Sequence, residues 1–143
     1  LSKANLPEAD MLEVDLSFAN LEYAILCGVY LDSSNLTDAN LNNADLSGAC
    51  MEDTILRGAD LSFANLSGVD LTNANLSNAN LTDANLSGAC MEDANLRGAD
   101  LSCANLTGTD LRGADLRGAD LDDAELHRAK LENATMPDGS IHE

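Results

Sequence analysis

The apolar positions of this chain recur every five residues. The stretch Ala74-Asn75-Leu76-Ser77-Asn78-Ala79-Asn80-Leu81-Thr82-Asp83-Ala84-Asn85-Leu86 shows the unit: Ala, then Asn or Asp, then Leu, then two variable polar residues. The same phase holds from Leu1 to Ile141 without an insertion or deletion. With the Leu position taken as the centre of each unit, 24 of the 29 centres are Leu and the others are Met11, Met51, Met91, Met136 and Ile141. Every Met is therefore a centre, as expected of a flexible side chain substituting in a core slot. Two residues before the centre, 21 of 28 positions are Ala, and the exceptions Val14, Val29, Ser34, Thr54, Val69, Thr109 and Gly139 are all modest in volume. One large and one small inward residue every five positions fits neither the helical period of about 3.6 nor the strand period of about 2. Self-similarity at a fixed short period predicts a solenoid.

Two residues after the centre, 19 of 28 positions are Gly, Asn or Asp, and nine of the ten Gly residues sit there. These residue types tolerate positive φ, which the third residue of a type II turn requires. The chain is expected to turn a corner once per unit.

The A-(N/D)-L-x-x register resembles the pentapeptide-repeat family over essentially the whole chain. The resemblance implies an all-β solenoid: a right-handed quadrilateral β-helix with four pentapeptides per coil and about seven coils. Leu and Ala would point to the axis and the other three positions outward. Coils spaced like hydrogen-bonded strands give a rod of about 34 Å. The repeat domain is expected over residues 1–136, and residues 137–143, with Pro137 and Gly139, as a C-terminal turn and tail similar to the endings of many cyanobacterial members.

In that geometry residues 20 apart stack, so charge can be assigned to four faces. The faces with centres 1, 21 to 141 and 11, 31 to 131 carry net charges of −7 and −8; those with centres 6, 26 to 126 and 16, 36 to 136 carry −2 and −1. The candidate acidic face is the third, with Asp32, Glu52, Asp53, Asp70, Glu92, Asp93 and Asp110. Oxygen ligands at the density of Glu52, Asp53, Asp70, Asn73, Glu92 and Asp93 could hold a hard cation weakly, but no loop there wraps an ion, and no metal or other cofactor is expected. A longer period overlies the pentads. Leu46–Leu71 and Leu86–Leu111 agree at 21 of 26 positions, offset by 40 residues.

The first thirty residues differ from the rest. Leu12, Phe18, Tyr23, Ile25, Cys27 and Tyr30 all fall at outward positions. They form either a terminal coil that packs under an N-terminal cap or a candidate interaction patch, with Leu12, Phe18, Tyr23, Ile25 and Tyr30 as its residues.

Composition narrows the function classes. The formal net charge is −18, which argues against nucleic acid as a partner, since binding phosphates needs basic patches. No apolar run is long enough to cross a membrane as a helix. Cys50 and Cys90 share a face two coils apart, about 9.6 Å at strand spacing, beyond disulfide reach. Cys27 and Cys103 lie on other faces, so four free thiols are expected, which suits a reducing compartment. His127 and His142 have no placed nucleophile, no phosphate loop or triad order is present, and a Leu/Ala interior leaves no substrate pocket. No enzyme is expected.

The function that remains is a non-enzymatic binding or scaffold protein, with an unidentified protein partner and end-to-end or face-to-face self-association as a further possibility. The alternative is a DNA-mimic modulator of a type II topoisomerase such as DNA gyrase, a role known for some proteins this chain resembles. Over about 34 Å duplex DNA carries roughly 20 charges, close to this chain's 18. Against this, nine of the acids occupy the slot before a centre where the repeat asks for Asp or Asn in any case, and no centre is Phe. The chain starts in mid-pattern without Met, which raises the expectation of residues upstream of Leu1. The expected compartment is the cytoplasm, or the thylakoid lumen or periplasm if a leader was removed.

Overall fold

In a computed structural model that describes all residues from Leu1 to Glu143, the chain winds as a right-handed quadrilateral β-helix with four pentapeptides per coil. Parallel bridges join residues 20 apart throughout, from Asn5↔Ile25 to Asp115↔Thr135, always at the position before the centre.

Each pentad accounts for its five backbone N–H groups in the same way, as buried peptide groups require. In the pentad centred on Leu21, Leu21 N donates to Asn40 O at 2.7 Å and Tyr23 N to Asn42 O at 3.0 Å, both in the next coil. Asn20 belongs to the edge of the chain's first coil, but its successor Asn40 donates back to Ala19 O at 2.9 Å. Ala24 N closes the corner onto Leu21 O at 3.0 Å. The remaining donor, Glu22 N, is met by a side chain: Asn20 Oδ1 accepts it at 3.0 Å. The Asn/Asp position thus exists to satisfy a peptide group that the coil leaves open. Its amide also donates down the stack, as in Asn65 Nδ2 to Asp45 Oδ1 at 3.0 Å and Asn85 Nδ2 to Asn65 Oδ1 at 3.3 Å.

Every corner from Lys3 to Asn133 has positive φ at its third residue, including eighteen residues that are not Gly. The first five corners place Lys3, Glu8, Glu13, Phe18 and Tyr23 there in succession, none of which relieves the left-handed strain as Gly does.

Leu, Met, Ala and Val from Leu21 to Ala119 form one continuous buried core, to which Ala134 also belongs. The hydroxyls that replace Ala stay buried because each finds an acceptor in the previous coil: Ser34 Oγ on Met11 O at 2.9 Å, Thr54 Oγ1 on Leu31 O at 3.0 Å and Thr109 Oγ1 on Leu86 O at 2.8 Å. The centres of the terminal coils, Leu6, Met11, Leu16, Leu121, Leu126 and Leu131, are half-buried because only one coil covers each of them.

The pentad phase does not carry through to Ile141. Gly139 N closes a turn onto Met136 O at 2.9 Å, Ile141 pairs antiparallel with Thr135, and its side chain is exposed. Pro137 and Gly139 reverse the chain, so Ile141 never reaches an inward slot. His142 instead bonds across the last coil, from its N–H to Ala134 O and from Asn133 N–H to its own carbonyl, at 2.9 and 2.8 Å.

Candidate interaction surfaces

All five apolar patch residues are exposed, and Phe18 is the most so at 75%. Phe18 and Tyr23 occupy the third positions of successive corners at φ 59° and 56°. Ile25 and Tyr30 occupy the Asn/Asp slot, where they interrupt two stacks: Asn5–Ile25–Asp45 and Asp10–Tyr30–Cys50. In the 20-residue register Leu12 and Tyr30 belong to the third face, Phe18 to the fourth, Tyr23 to the first and Ile25 to the second. The structure therefore arranges them as a collar around the first two coils rather than on one flat face. Lys3 Nζ lies 6.0 Å from the Tyr23 ring centroid, at the outer limit of cation–π contact. Two more exposed apolar residues lie further along, Phe63 and Ile55. Ile55 was not singled out from the sequence; its signal is an apolar residue in an Asn/Asp slot, the same as for Ile25.

The acidic face is less free than its composition implies. Asp32 Oδ1 accepts Glu52 N at 2.8 Å, and Asp70 Oδ1 accepts Thr72 N and Oγ1 at 3.0 and 2.7 Å. Asp110 is buried beneath two cations, taking Arg112 Nε and Nη2 and Lys130 Nζ, each at 2.8 Å. The Arg112 hydrogen bonds, aided by Lys130, hold its carboxyl far below the usual range. Arg112 also reaches Glu92 at 3.2 Å. Glu52, Asp53 and Asp93 remain exposed. No three His, Cys, Asp or Glu side chains on the molecule converge as metal ligands do.

All four cysteines are free thiols. Desolvation pushes the Cys50 thiol up, reinforced by Asp32 and Asp70, and desolvation with Asp83, Asp123 and Asp100 does the same for Cys103. A raised thiol pKa keeps the nucleophilic thiolate scarce at neutral pH.

A closed Leu/Ala interior, one corner per pentad and a surface of stacked side-chain columns define a repeat-built β-solenoid. This chain belongs to the pentapeptide-repeat family: the family model for pentapeptide repeats matches in 8 copies over residues 1–32, 26–58, 59–98 and 99–136. Among solved structures it is similar to a pentapeptide repeat protein from the Arabidopsis thaliana thylakoid lumen, with 39% identity over 69% of each chain and a TM-score of 0.68. It is also similar to a pentapeptide repeat protein from Nostoc, at 48% identity over 56% of this chain and 66% of that one, with a TM-score of 0.55. QnrB1, a plasmid-mediated fluoroquinolone resistance protein, aligns at 22% identity over 94% of this chain and 78% of that one, with a TM-score of 0.46, too loose a likeness to argue from. No curated protein matches the chain.

Proposed function

We propose that this rod is a non-enzymatic binding or scaffold protein that engages a protein partner through its outer surface, with the collar of Leu12, Phe18, Tyr23, Ile25 and Tyr30 as the contact. The observation behind this reading is the pairing of strain with exposure. A left-handed backbone costs a residue with a side chain about 1 to 2 kcal/mol. Phe18 and Tyr23 accept that cost and leave their rings in water. A partner that covered the rings would recover apolar area that the isolated fold does not bury. The complementary partner is apolar at its centre and basic at its rim, given the charge of −18.

A photoreactive phenylalanine analogue at position 18 tests this in extract of the source cells. We expect one saturable adduct that wild-type protein competes away and the F18G/Y23N double variant does not. Equal competition by both proteins, or no saturable adduct, refutes the collar as a contact.

DNA mimicry is the second reading, favoured by the match between this chain's charge density and that of a duplex. It ranks lower because Asp32, Asp70 and Asp110 are committed to bonds within the rod. A gyrase supercoiling assay decides it: salt-sensitive inhibition or protection supports mimicry, and no effect at large excess removes it. For the compartment, the free thiols favour the cytoplasm, while likeness to a thylakoid-lumen protein favours the alternative.

A further inference from the structure

The fourth face carries the one concave feature of the rod, well away from the collar. It is a cleft of about 510 Å³ lined by Ser77, Asn78, Asn95, Arg97, Gly98 and Arg117, with no hydrophobic residue. We propose that this cleft is an oxyanion site, taking a carboxylate or a phosphate group between Arg97 and Arg117.

Charge balance inside the cleft carries the inference. The two arginines stand on adjacent coils and share a single carboxylate, Asp115. Arg117 takes both oxygens of Asp115, through Nε to Oδ1 at 2.8 Å and Nη2 to Oδ2 at 2.5 Å. Arg97 Nη1 comes no nearer to Asp115 than 3.7 Å. In a chain with 25 acids and 7 basic residues, this guanidinium is left without a close counter-ion, and its side chain is half exposed to the cleft's mouth. A guanidinium presents donors in a planar fork that suits carboxylate and phosphate oxygens.

The uncharged lining adds donors. Elsewhere the Ser hydroxyl after a centre turns back to the Asn or Asp two residues earlier, as Ser67 does to Asn65 at 2.8 Å and Ser102 to Asp100 at 2.6 Å. At Ser77 only the backbone N–H makes that bond, to Asn75 Oδ1 at 3.1 Å, and the hydroxyl has no partner in the protein. Asn78 lies across Gly98, where a Cβ would come within 2.7 Å of Asn78 Oδ1. Glycine at 98 therefore leaves the space that the Asn78 side chain occupies.

The internal duplication supplies a comparison within the same molecule. Forty residues earlier, the six lining positions are Thr37, Asp38, Ile55, Arg57, Gly58 and Ser77. That set has one cation instead of two, an acid at the corner and an apolar side chain in place of Asn95. No comparable cleft forms there. Arginine at 117 and Asn at 95 thus separate the cleft from its uncharged-to-acidic counterpart.

The test is a titration of the isotope-labelled protein with inorganic phosphate and, separately, with acetate at neutral pH, following the arginine side-chain N–H resonances by NMR. We expect the Arg97 and Arg117 resonances to shift along a saturable curve while Arg57 stays still. Arg97→Gln should weaken binding about tenfold, and Asn95→Ile should weaken it without removing a charge. Saturation by phosphate at lower concentration than acetate supports a phosphate source, and the reverse order or equality supports a carboxylate source. A linear, non-saturating shift, an equal response at Arg57, or an unchanged affinity in Arg97→Gln overturns the proposal. Both variants lie on the surface, so unaltered thermal melting verifies that each remains folded.

Discussion

The two copies of the 40-residue unit share a backbone and differ at five of 26 positions: Thr54/Ala94, Ile55/Asn95, Phe63/Cys103, Ser67/Thr107 and Val69/Thr109. The inward differences are nearly silent. Thr54 and Ala94 fill the same buried slot, as do Val69 and Thr109, and each buried hydroxyl bonds a carbonyl 23 residues earlier. The outward differences change what the surface offers. The first copy exposes Ile55 and Phe63; the second has Asn95, which joins the amide stack through Nδ2 to Asn75 Oδ1 at 3.3 Å, and Cys103. A rod of this kind holds its core constant because each inward slot admits only a narrow range of volume. Its outward columns vary freely because no packing constrains them, and specificity resides there.

The largest effect should be the same in both copies. Leu56→Ala and Leu96→Ala remove fully buried centres and should each cost about 3 kcal/mol in denaturant unfolding. Costs that differ by more than about 1 kcal/mol would break the equivalence of the two interiors.

The next two substitutions exchange the copies' inward slots. Thr109→Val removes the bond to Leu86 O, a carbonyl that keeps its corner bond from Ala89 N at 3.0 Å. It should cost about 1 kcal/mol. Val69→Thr should be nearly neutral, since its new hydroxyl meets the corresponding carbonyl of Leu46.

Relieving a corner should stabilise the fold. Phe63→Asn places a residue that tolerates the left-handed region at φ 59° and should raise stability by roughly 0.5 to 1 kcal/mol. A loss of stability would show that the ring packs favourably in its column. Ile55→Asn should add roughly 0.5 kcal/mol by restoring an amide between Asn35 and Asn75.

The smallest effect is confined to the second copy, where Asp115 stands 40 residues after Asn75. Hydrogen bonds from Arg117 lower its pKa from 3.8 to about 2. A depressed carboxylate pKa contributes stability that is present above pH 4 and is lost as pH falls from about 4 to 2. Asp115→Asn should flatten the melting temperature over that window relative to wild type, and an unchanged slope would show that the Arg117 pair contributes nothing to folding.

The architecture was legible because it depends on local periodicity. Five-residue spacing with Leu at the centre and Ala two before it excluded helix and strand, and Gly, Asn or Asp two after the centre marked each corner. The purpose of the Asn/Asp slot was not legible, since it answers a single peptide N–H left open by coil geometry, such as that of Glu22. The end of the register at Met136 was legible in Pro137 and Gly139, yet Ile141 kept the apolar phase while its chain had already reversed. The acidic face was readable as a count of charges but not as a set of bonds. Burial of Asp110 under Arg112 and Lys130 joins residues 20 apart and depends on which rotamers meet. Ile55 escaped notice because a lone apolar residue in a polar slot carries no period.

The sequence by itself determined the coil, the core and the charge of this protein, because each follows from which residue type stands at which of five positions. Only the tertiary structure decided how the surface is used. Side chains 20 residues apart become neighbours only after the chain has wound, so the collar around the first coils, the shielding of Asp110 and the cleft between Arg97 and Arg117 all arise from stacking between coils. Their energies depend on distances of a few ångström across that stack, and those distances are set by the fold rather than by the order of residues within a pentad.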